Sequence, residues 1–328
     1  MDGLRYAVGG SPVAHSLSPI LFNLVVSDLK RKGHLPRFDL STLTTLETSH
    51  IDEVLGWAYI EHGKHQPIWK PAHQKLKTYQ SKLYELAVQS STIDPSDDVS
   101  PKRKPPVRSL ANDHLPERPS PNEVWLNLTS PLKHQIQSMV FSPIDEAIDI
   151  ISVNTLRYTG QGWYCSTTDG FGVVHVAYHF GIDVSEGALI GINGGGGAAR
   201  SIASAWMNSG GNVAAIGGRR QLPASLVNTK TEENQMFDLI IDTDGTMESG
   251  PYSTYALNPV YVPMEGSLEE RLQKVSSEQS NIDGRWMLAA QHLESWRSLW
   301  TPRLAEHLPR LEQLMTWLLA VECKLEEN

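Results

Sequence analysis

Cysteine is nearly absent: the 328 residues hold two, Cys165 and Cys323. Two thiols are too few for a disulfide framework and predict free cysteines in a reducing compartment. Long apolar runs are missing too. None approaches the ~20 residues of a membrane span, and the opening Met-Asp-Gly-Leu-Arg-Tyr-Ala-Val lacks the long apolar core of a secretory signal. Excess positive charge is also lacking. A net charge of −9 and a pI near 5.7 argue against a nucleic-acid footprint. These absences leave a cytoplasmic protein with neither nucleic acid nor membrane as partner. Its length suggests two domains, and its 40% hydrophobic content is enough for sizeable cores.

Glycine, by contrast, is concentrated at one place. The apolar run Gly187-Ala-Leu-Ile-Gly-Ile192 reads as a buried parallel strand. It leads into Asn193-Gly-Gly-Gly-Gly-Ala-Ala-Arg200, and Ser201–Met207 follows with helical spacing. Gly194, Gly195, Gly196 and Gly197 therefore stand at a strand-to-helix turn. Without Cβ atoms their N–H groups can approach a phosphate closely, and the helix that starts there directs its positive end at the same spot. This is how a Rossmann-type pyrophosphate site works; a merely flexible glycine loop is the simpler reading. Gly211–Ile216 reads as the next parallel strand and completes a βαβ unit. It runs into Gly217-Gly-Arg-Arg220 with no carboxylate. A ribose bound as NAD usually meets an acidic residue at that strand end, and a 2′-phosphate meets arginine. Arg219 and Arg220 thus favour NADP, unless both are plain surface residues.

Elsewhere the chain alternates strand and helix patterns. Tyr6–Gly10, Arg37–Leu40, Val124–Thr129, Phe237–Asp242 and Pro259–Val262 read as strands, and 156–158 with 162–164 as a hairpin around Gly160. Ile20–Lys30, Ser49–Trp57, Val173–Phe180, Trp286–Leu299 and Leu304–Val321 read as helices. Ser18 is a candidate N-cap with Pro19 at the first helical position; Ser16 and Ser18 serve either as caps or as hydroxyls for a polar ligand. Helical spacing from 72 to 89 gives way to 94–121, which carries seven prolines among mixed charges. That composition suits a mobile or irregular insertion.

In this order the polar turns resemble the shikimate dehydrogenase family over most of the chain outside residues 59–121. Ser11-Pro-Val-Ala-His-Ser-Leu-Ser-Pro19 is similar to its substrate-binding serine motif. Asn127-Leu-Thr-Ser-Pro-Leu-Lys133 is similar to its Asn-Val-Thr-x-Pro-x-Lys motif, Ser152-Val-Asn-Thr155 to Ala-Val-Asn-Thr, and Thr168-Asp-Gly170 to Asn-Thr-Asp-Gly. The glycine loop resembles its Gly-Ala-Gly-Gly-Ala. The resemblance implies an α/β protein with a substrate domain at 1–166 (insertion about 59–121), a Rossmann-type cofactor domain at 167–285, and C-terminal helices at 286–328 returning to the substrate domain. It implies NADPH-dependent reduction of 3-dehydroshikimate to shikimate, on the route to chorismate and the aromatic amino acids. By the same resemblance Lys133 and Asp169 are the catalytic pair. Ser16, Ser18, Thr129, Asn154, Tyr261 and Gln291 bind substrate. Gly194–Gly197, Ala198, Arg219, Arg220 and Met287 bind the cofactor, and no metal is implied.

Three places depart from the family pattern. Gly-Gly-Arg-Arg replaces Asn-Arg-Thr, Asp242-Thr-Asp244 replaces Asn-Ala-Thr, and Trp286-Met-Leu288 replaces Gly-Met-Leu beside the nicotinamide. Two alternatives stay open: a quinate/shikimate dehydrogenase using NAD or NADP, and a non-catalytic regulatory homologue. The partner is a small molecule, and the chain is a monomer or homodimer.

Overall fold

The computed structural model describes residues 3–35, 40–59, 83–90, 108, 115, 119, 122–137, 140–247, 252–276 and 280–326. The proline-rich stretch at 94–121 lies outside the described residues, save for parts of its C-terminal half, and so does most of the expected strand at 37–40.

The described residues fall into two compact units, one within Met1–Pro95, Leu110–Thr167 and His292–Asn328, the other chiefly within Thr168–Gln291. In the first, β1 (Leu4–Gly10), β2 (Leu40–Glu47), β3 (Val124–Leu128), β4 (Phe141–Pro143), β5 (Thr155–Tyr158) and β6 (Trp163–Ser166) make a sheet in the order β2-β1-β3-β5-β6-β4. β1 runs parallel to β2 and β3; β5 is antiparallel to β3 and β6, the hairpin expected around Gly160. The helices of this unit are α1 (Ser18–Arg31), α2 (Ile51–Tyr59) and α3 (Leu83–Ser90).

The second unit holds an all-parallel sheet, β11-β10-β9-β7-β8, built from β7 (Leu189–Asn193), β8 (Asn212–Gly217), β9 (Phe237–Asp242), β10 (Ser253–Leu257) and β11 (Asn281–Ile282). Its helices are α4 (Asp169–His179), α5 (Gly197–Asn208) and α6 (Leu268–Lys274). α7 (Gly284–Ser295) begins in this unit and ends in the first, which also holds α8 (Leu311–Glu326). A parallel sheet needs crossovers, and buried residues such as Ile190, Ile192, Val213, Leu239 and Ile241 give it the apolar faces those crossovers cover.

The first unit's core is aromatic. Tyr6 stacks on Phe22 at 3.9 Å, Trp125 on Trp300 at 5.5 Å, and Phe22 on Trp296 at 5.2 Å. Each such pair adds about 0.5–1.5 kcal/mol beyond the area it buries. After α7 the helix widens into a π-turn over Trp296–Trp300, which carries two of these rings.

Several elements differ from the sequence pattern. Pro259–Val262 is not a strand, and Val260 and Val262 are exposed. Pro259 and Pro263 flank it and offer no N–H to a ladder, so the strand forms upstream at Ser253–Leu257. β2 runs on to Glu47, seven residues past the end of the expected strand at Leu40. Ser18 does not cap α1: the N-cap is Leu17, which makes no side-chain cap bond. The last helix starts at Leu311, because Pro309 blocks a continuous turn before it. Among the described residues no helix is long and apolar enough to cross a membrane.

Candidate functional site

In the first unit, the polar residues gather where β1 and β3 end. Both strands run the same way, and the chain leaving each turns over the sheet edge. Thr129 N–H donates to Gly9 O at 2.8 Å, and Ser11 N–H to Ser130 O at 2.8 Å. A Cβ on Gly10 would lie 2.2 Å from Thr129 Cγ2, so only glycine lets these two turns touch. Lys133 sits in a single 3-10 turn, Leu132–His134, that directly follows this contact. Its carbonyl accepts the Val153 N–H at 2.8 Å, and Asn154 O accepts Leu128 N–H at 2.8 Å. Lys133, Thr129 and Asn154 are thus held on one sheet edge by the backbone.

The serine motif borders the same strand. Ser16 and Ser18 are both buried, and Ser18 N–H donates to Ser16 Oγ at 3.3 Å. Tyr6 links them to β3: its hydroxyl donates to Asn127 Oδ1 at 2.7 Å and is hydrogen-bonded by Ser18. Burial pushes the Tyr6 phenol up, with the Ser18 bond opposing it. Asn127 Nδ2 in turn donates to Thr155 Oγ1 at 3.3 Å and reaches Asn154 O at 3.4 Å. Neither Tyr6 nor Asn127 carried a role in the sequence reading; together they tie the serine motif to the asparagine motif.

In the second unit, Asp169 opens α4 and is fully buried. The next residue explains the placement. Gly170 N–H donates to Ser201 Oγ at 2.9 Å, and a Cβ there would lie 2.0 Å from Ser201 O. α4 therefore starts in backbone contact with α5, the helix that follows the glycine loop. Gly172 does the same for α7: its Cβ would lie 2.8 Å from Gln291 N. So Asp169, Gln291 and the glycine loop sit on three helices packed through small residues. Tyr261 lies under the Arg285 guanidinium, 5.5 Å from the ring centre.

The glycine loop has the form its sequence implies. Gly194 has φ +123°, and its Cβ would meet Thr243 Oγ1 at 2.1 Å; that of Gly195 would meet Gln221 O at 2.3 Å. At Gly196 a Cβ would meet nothing within 4 Å. Gly196 is the N-cap of α5 and supplies no side chain. The result is a helix N-terminus whose cap residue brings no side chain, beside open space, which suits a phosphate. Ala198 stands in its first turn and Met287 is buried in α7. Arg200, which the sequence reading did not single out as a site residue, donates from Nε to Gly195 O at 3.2 Å. Arg219 and Arg220 are exposed at the end of β8, and Gly194 N–H donates to Gly217 O at 2.9 Å to join that end to the loop. These residues fit a phosphate-bearing dinucleotide.

Trp286 is part of the unit's core. Its indole packs on His179 at 4.4 Å and Phe180 at 5.9 Å, and its Nε1–H donates to Val275 O at 2.8 Å. Asp242 closes the turn after β9, its two oxygens accepting from Asn193 Nδ2 and the N–H groups of Asp244, Gly245 and Met247. Burial pushes its carboxyl up, but these donors outweigh burial and leave it below the ordinary range. Among the described residues no group of three His, Cys, Asp or Glu could hold a metal.

No protein-family model matches the chain. A curated shikimate dehydrogenase (NADP(+)) from Natronomonas pharaonis is 27% identical over 215 residues, 59% of this chain and 78% of the relative. Another, from Oceanobacillus iheyensis, is 30% identical over 149 residues, 41% of this chain and 54% of the relative. Among solved structures, shikimate 5-dehydrogenase from Thermus thermophilus in complex with NADP(H) and shikimate superposes with a TM-score of 0.56 at 19% identity, covering 96% of this chain and 98% of that one. The chain is thus similar in sequence to curated shikimate dehydrogenases, and it shares the fold of solved ones.

Proposed function

We propose that this protein is an NADP-dependent shikimate dehydrogenase that reduces 3-dehydroshikimate to shikimate. The observation that carries the reading is the start of α5 at Gly196, a cap residue that brings no side chain and is open where a Cβ would stand, with Arg219 and Arg220 exposed at the end of the adjacent strand β8. Gly194–Gly197 and Ala198 would hold the pyrophosphate, the two arginines the 2′-phosphate, and Met287 the nicotinamide side. The bound nicotinamide supplies a hydride to the carbonyl carbon.

The protein's own residues do the rest. Lys133 donates a proton to the oxygen as negative charge develops there, so that hydride and proton together convert ketone to alcohol. Asp169 is its partner by the family pattern: its carboxylate orients the ammonium, and the neutral amine left after the transfer regains its proton from solvent. Ser16, Ser18, Thr129, Asn154, Tyr261 and Gln291 offer neutral hydroxyl and amide contacts to ring hydroxyls and carboxylate. Neutral contacts orient a polyol without fixing a charge. The reading places the enzyme in the cytoplasm, consistent with two free cysteines, and in the supply of chorismate.

Initial rates on shikimate and on quinate, each with NADP and with NAD, test the proposal. Turnover of shikimate with NADP as the preferred pair supports it. A preference for quinate or NAD moves the assignment to the quinate/shikimate branch, and no turnover on any pair supports a regulatory homologue.

A further inference from the structure

The departure after β9, where the chain carries Asp242-Thr-Asp244, has a specific place in the fold. β7 lies between β8 and β9 in the sheet, so a residue that follows β9 must reach over the end of β7 to touch the end of β8. Asp244 does so. Its carboxylate Oδ2 accepts the Arg219 N–H at 2.7 Å, and its main-chain carbonyl accepts from Arg219 Nη2 at 3.3 Å. Arg219 Nε stands 3.9 Å from the same carboxylate. Two glycines make room for this bridge. A Cβ on Gly194 would lie 3.1 Å from Asp244 Oδ1, and one on Gly218 would lie 3.1 Å from Oδ2. The Asp244 side chain keeps only 11% of its exposure, while that of Arg219 keeps 73%.

We infer that Asp244 is a positioning residue for cofactor selection, holding Arg219 at the end of β8 in the orientation that receives an adenosine 2′-phosphate. The inference rests on the NADP reading above. An arginine on a two-glycine turn has wide backbone freedom at Gly217 and Gly218, both at positive φ. Fixing its N–H and one guanidinium nitrogen removes that freedom before the ligand arrives, which lowers the entropic cost of binding. The remaining donors of the planar fork stay on an exposed side chain, in the form that suits phosphate. Asp244 is itself held: Asp242 Oδ1 accepts its N–H at 3.1 Å, and Asn193 Nδ2 fixes that oxygen at 2.7 Å. The bridge therefore runs from β7 through the turn after β9 to Arg219. A carboxylate alone at this edge would repel a phosphate; one already engaged by Arg219 is neutralised.

Adenosine 2′,5′-bisphosphate and 5′-AMP are the probes, since they report the adenosine half without turnover. Their dissociation constants are measured by calorimetry on the intact protein. The wild type binds the bisphosphate more tightly. Asp244→Ala weakens the bisphosphate by about 3- to 10-fold, the loss of one hydrogen bond, and leaves 5′-AMP within twofold. Asp244→Asn keeps an acceptor for the Arg219 N–H and stays near wild type. Adding Asp244→Ala to Arg219→Ala produces no further loss. Should the alanine variant fail to fold, Asp244→Ser, whose hydroxyl falls short of Arg219, gives the same result. Equal weakening of both probes would reduce Asp244 to a structural residue, and a tighter bisphosphate in Asp244→Ala would show that the carboxylate repels the phosphate; either overturns the inference. A wild type indifferent to the 2′-phosphate sinks the NADP reading itself, whereas a discriminating wild type whose Asp244→Ala variant discriminates just as well sinks only the role of Asp244.

Discussion

Arg157 and Glu123 form a fully buried two-pronged ion pair, Nε to Oε2 at 2.9 Å and Nη2 to Oε1 at 3.0 Å. The pair is satisfied on both sides. Trp125 Nε1–H donates to Glu123 Oε2 at 2.7 Å, and Arg157 Nη1 donates to Leu299 O at 3.1 Å. It joins β3 and β5 to the π-turn after α7. Removing one member strands a charge in the core, which costs roughly 3–5 kcal/mol. Glu123→Ala should lose that much in urea unfolding followed by tryptophan fluorescence. A loss under about 1 kcal/mol would mean that water reaches the guanidinium in the variant.

On the proposed mechanism, Lys133 serves the chemistry rather than the fold. Its backbone is tied to Val153, so replacing the side chain leaves the turn intact. Lys133→Ala should lower kcat by about 10²–10⁴-fold, the usual worth of a general acid, with cofactor binding unchanged. Stopped-flow and steady-state rates on the same preparation check this. Turnover within tenfold of wild type would remove Lys133 from the mechanism.

Neighbouring glycines in the loop should behave differently. Gly196→Ala puts a methyl group into open space, so stability should stay within about 0.5 kcal/mol. The same methyl occupies the approach to the α5 N-terminus, and NADP affinity should fall about tenfold, equivalent to about 1.4 kcal/mol. Gly195→Ala instead drives a Cβ to 2.3 Å from Gln221 O and should cost about 1–3 kcal/mol in stability. Thermal melts and cofactor titrations on both variants separate the two effects. Unchanged NADP affinity in Gly196→Ala would place the phosphate elsewhere.

Trp286 stands where the family pattern has glycine, and its indole is buried with a hydrogen bond to Val275 O. Trp286→Gly should therefore destabilise by about 3–5 kcal/mol. Because the ring faces His179 and Phe180, turnover of the folded fraction should change only a few-fold. A large gain in kcat or cofactor affinity would mean that the indole obstructs the site.

What could be read from the sequence was whatever depends on neighbours along the chain. The glycines at 194–197 declare their turn because strand, loop and helix are consecutive, and the hairpin around Gly160 is equally local. Contacts between distant segments were hidden. Asp244 touches Arg219 across 25 positions, and only the sheet order brings them together. Tyr6 meets Asn127 through the pairing of β1 with β3. The stretch of β2 beyond Leu40 was hidden because its leucines recur at 40, 43 and 46. That spacing of three obscures a strand's period of two, and pairing with β1 decides the outcome. Pro259–Val262 failed for the opposite reason: its composition suits a strand, but the flanking prolines cannot join one.

His292 should make the protein acid-sensitive. It is fully buried among Tyr6, Phe22, Trp296 and Trp300. Its Nε2 accepts from Trp296 Nε1 at 3.3 Å, a bond only the neutral ring can take. Burial pushes its pKa down to about 3, against about 6.5 in an unfolded chain. Between those values the unfolded state binds a proton that the native state does not. The contribution is therefore complete above about pH 6.5 and is lost as pH falls toward 3, at up to about 1.4 kcal/mol per pH unit. His292→Gln removes the titrating group, so the slope of its unfolding free energy between pH 6 and pH 4 should be shallower than that of wild type by about this amount. Urea unfolding at several pH values measures both slopes. If the two proteins lose stability in parallel on acidification, water reaches His292 and its imidazole protonates in the folded state.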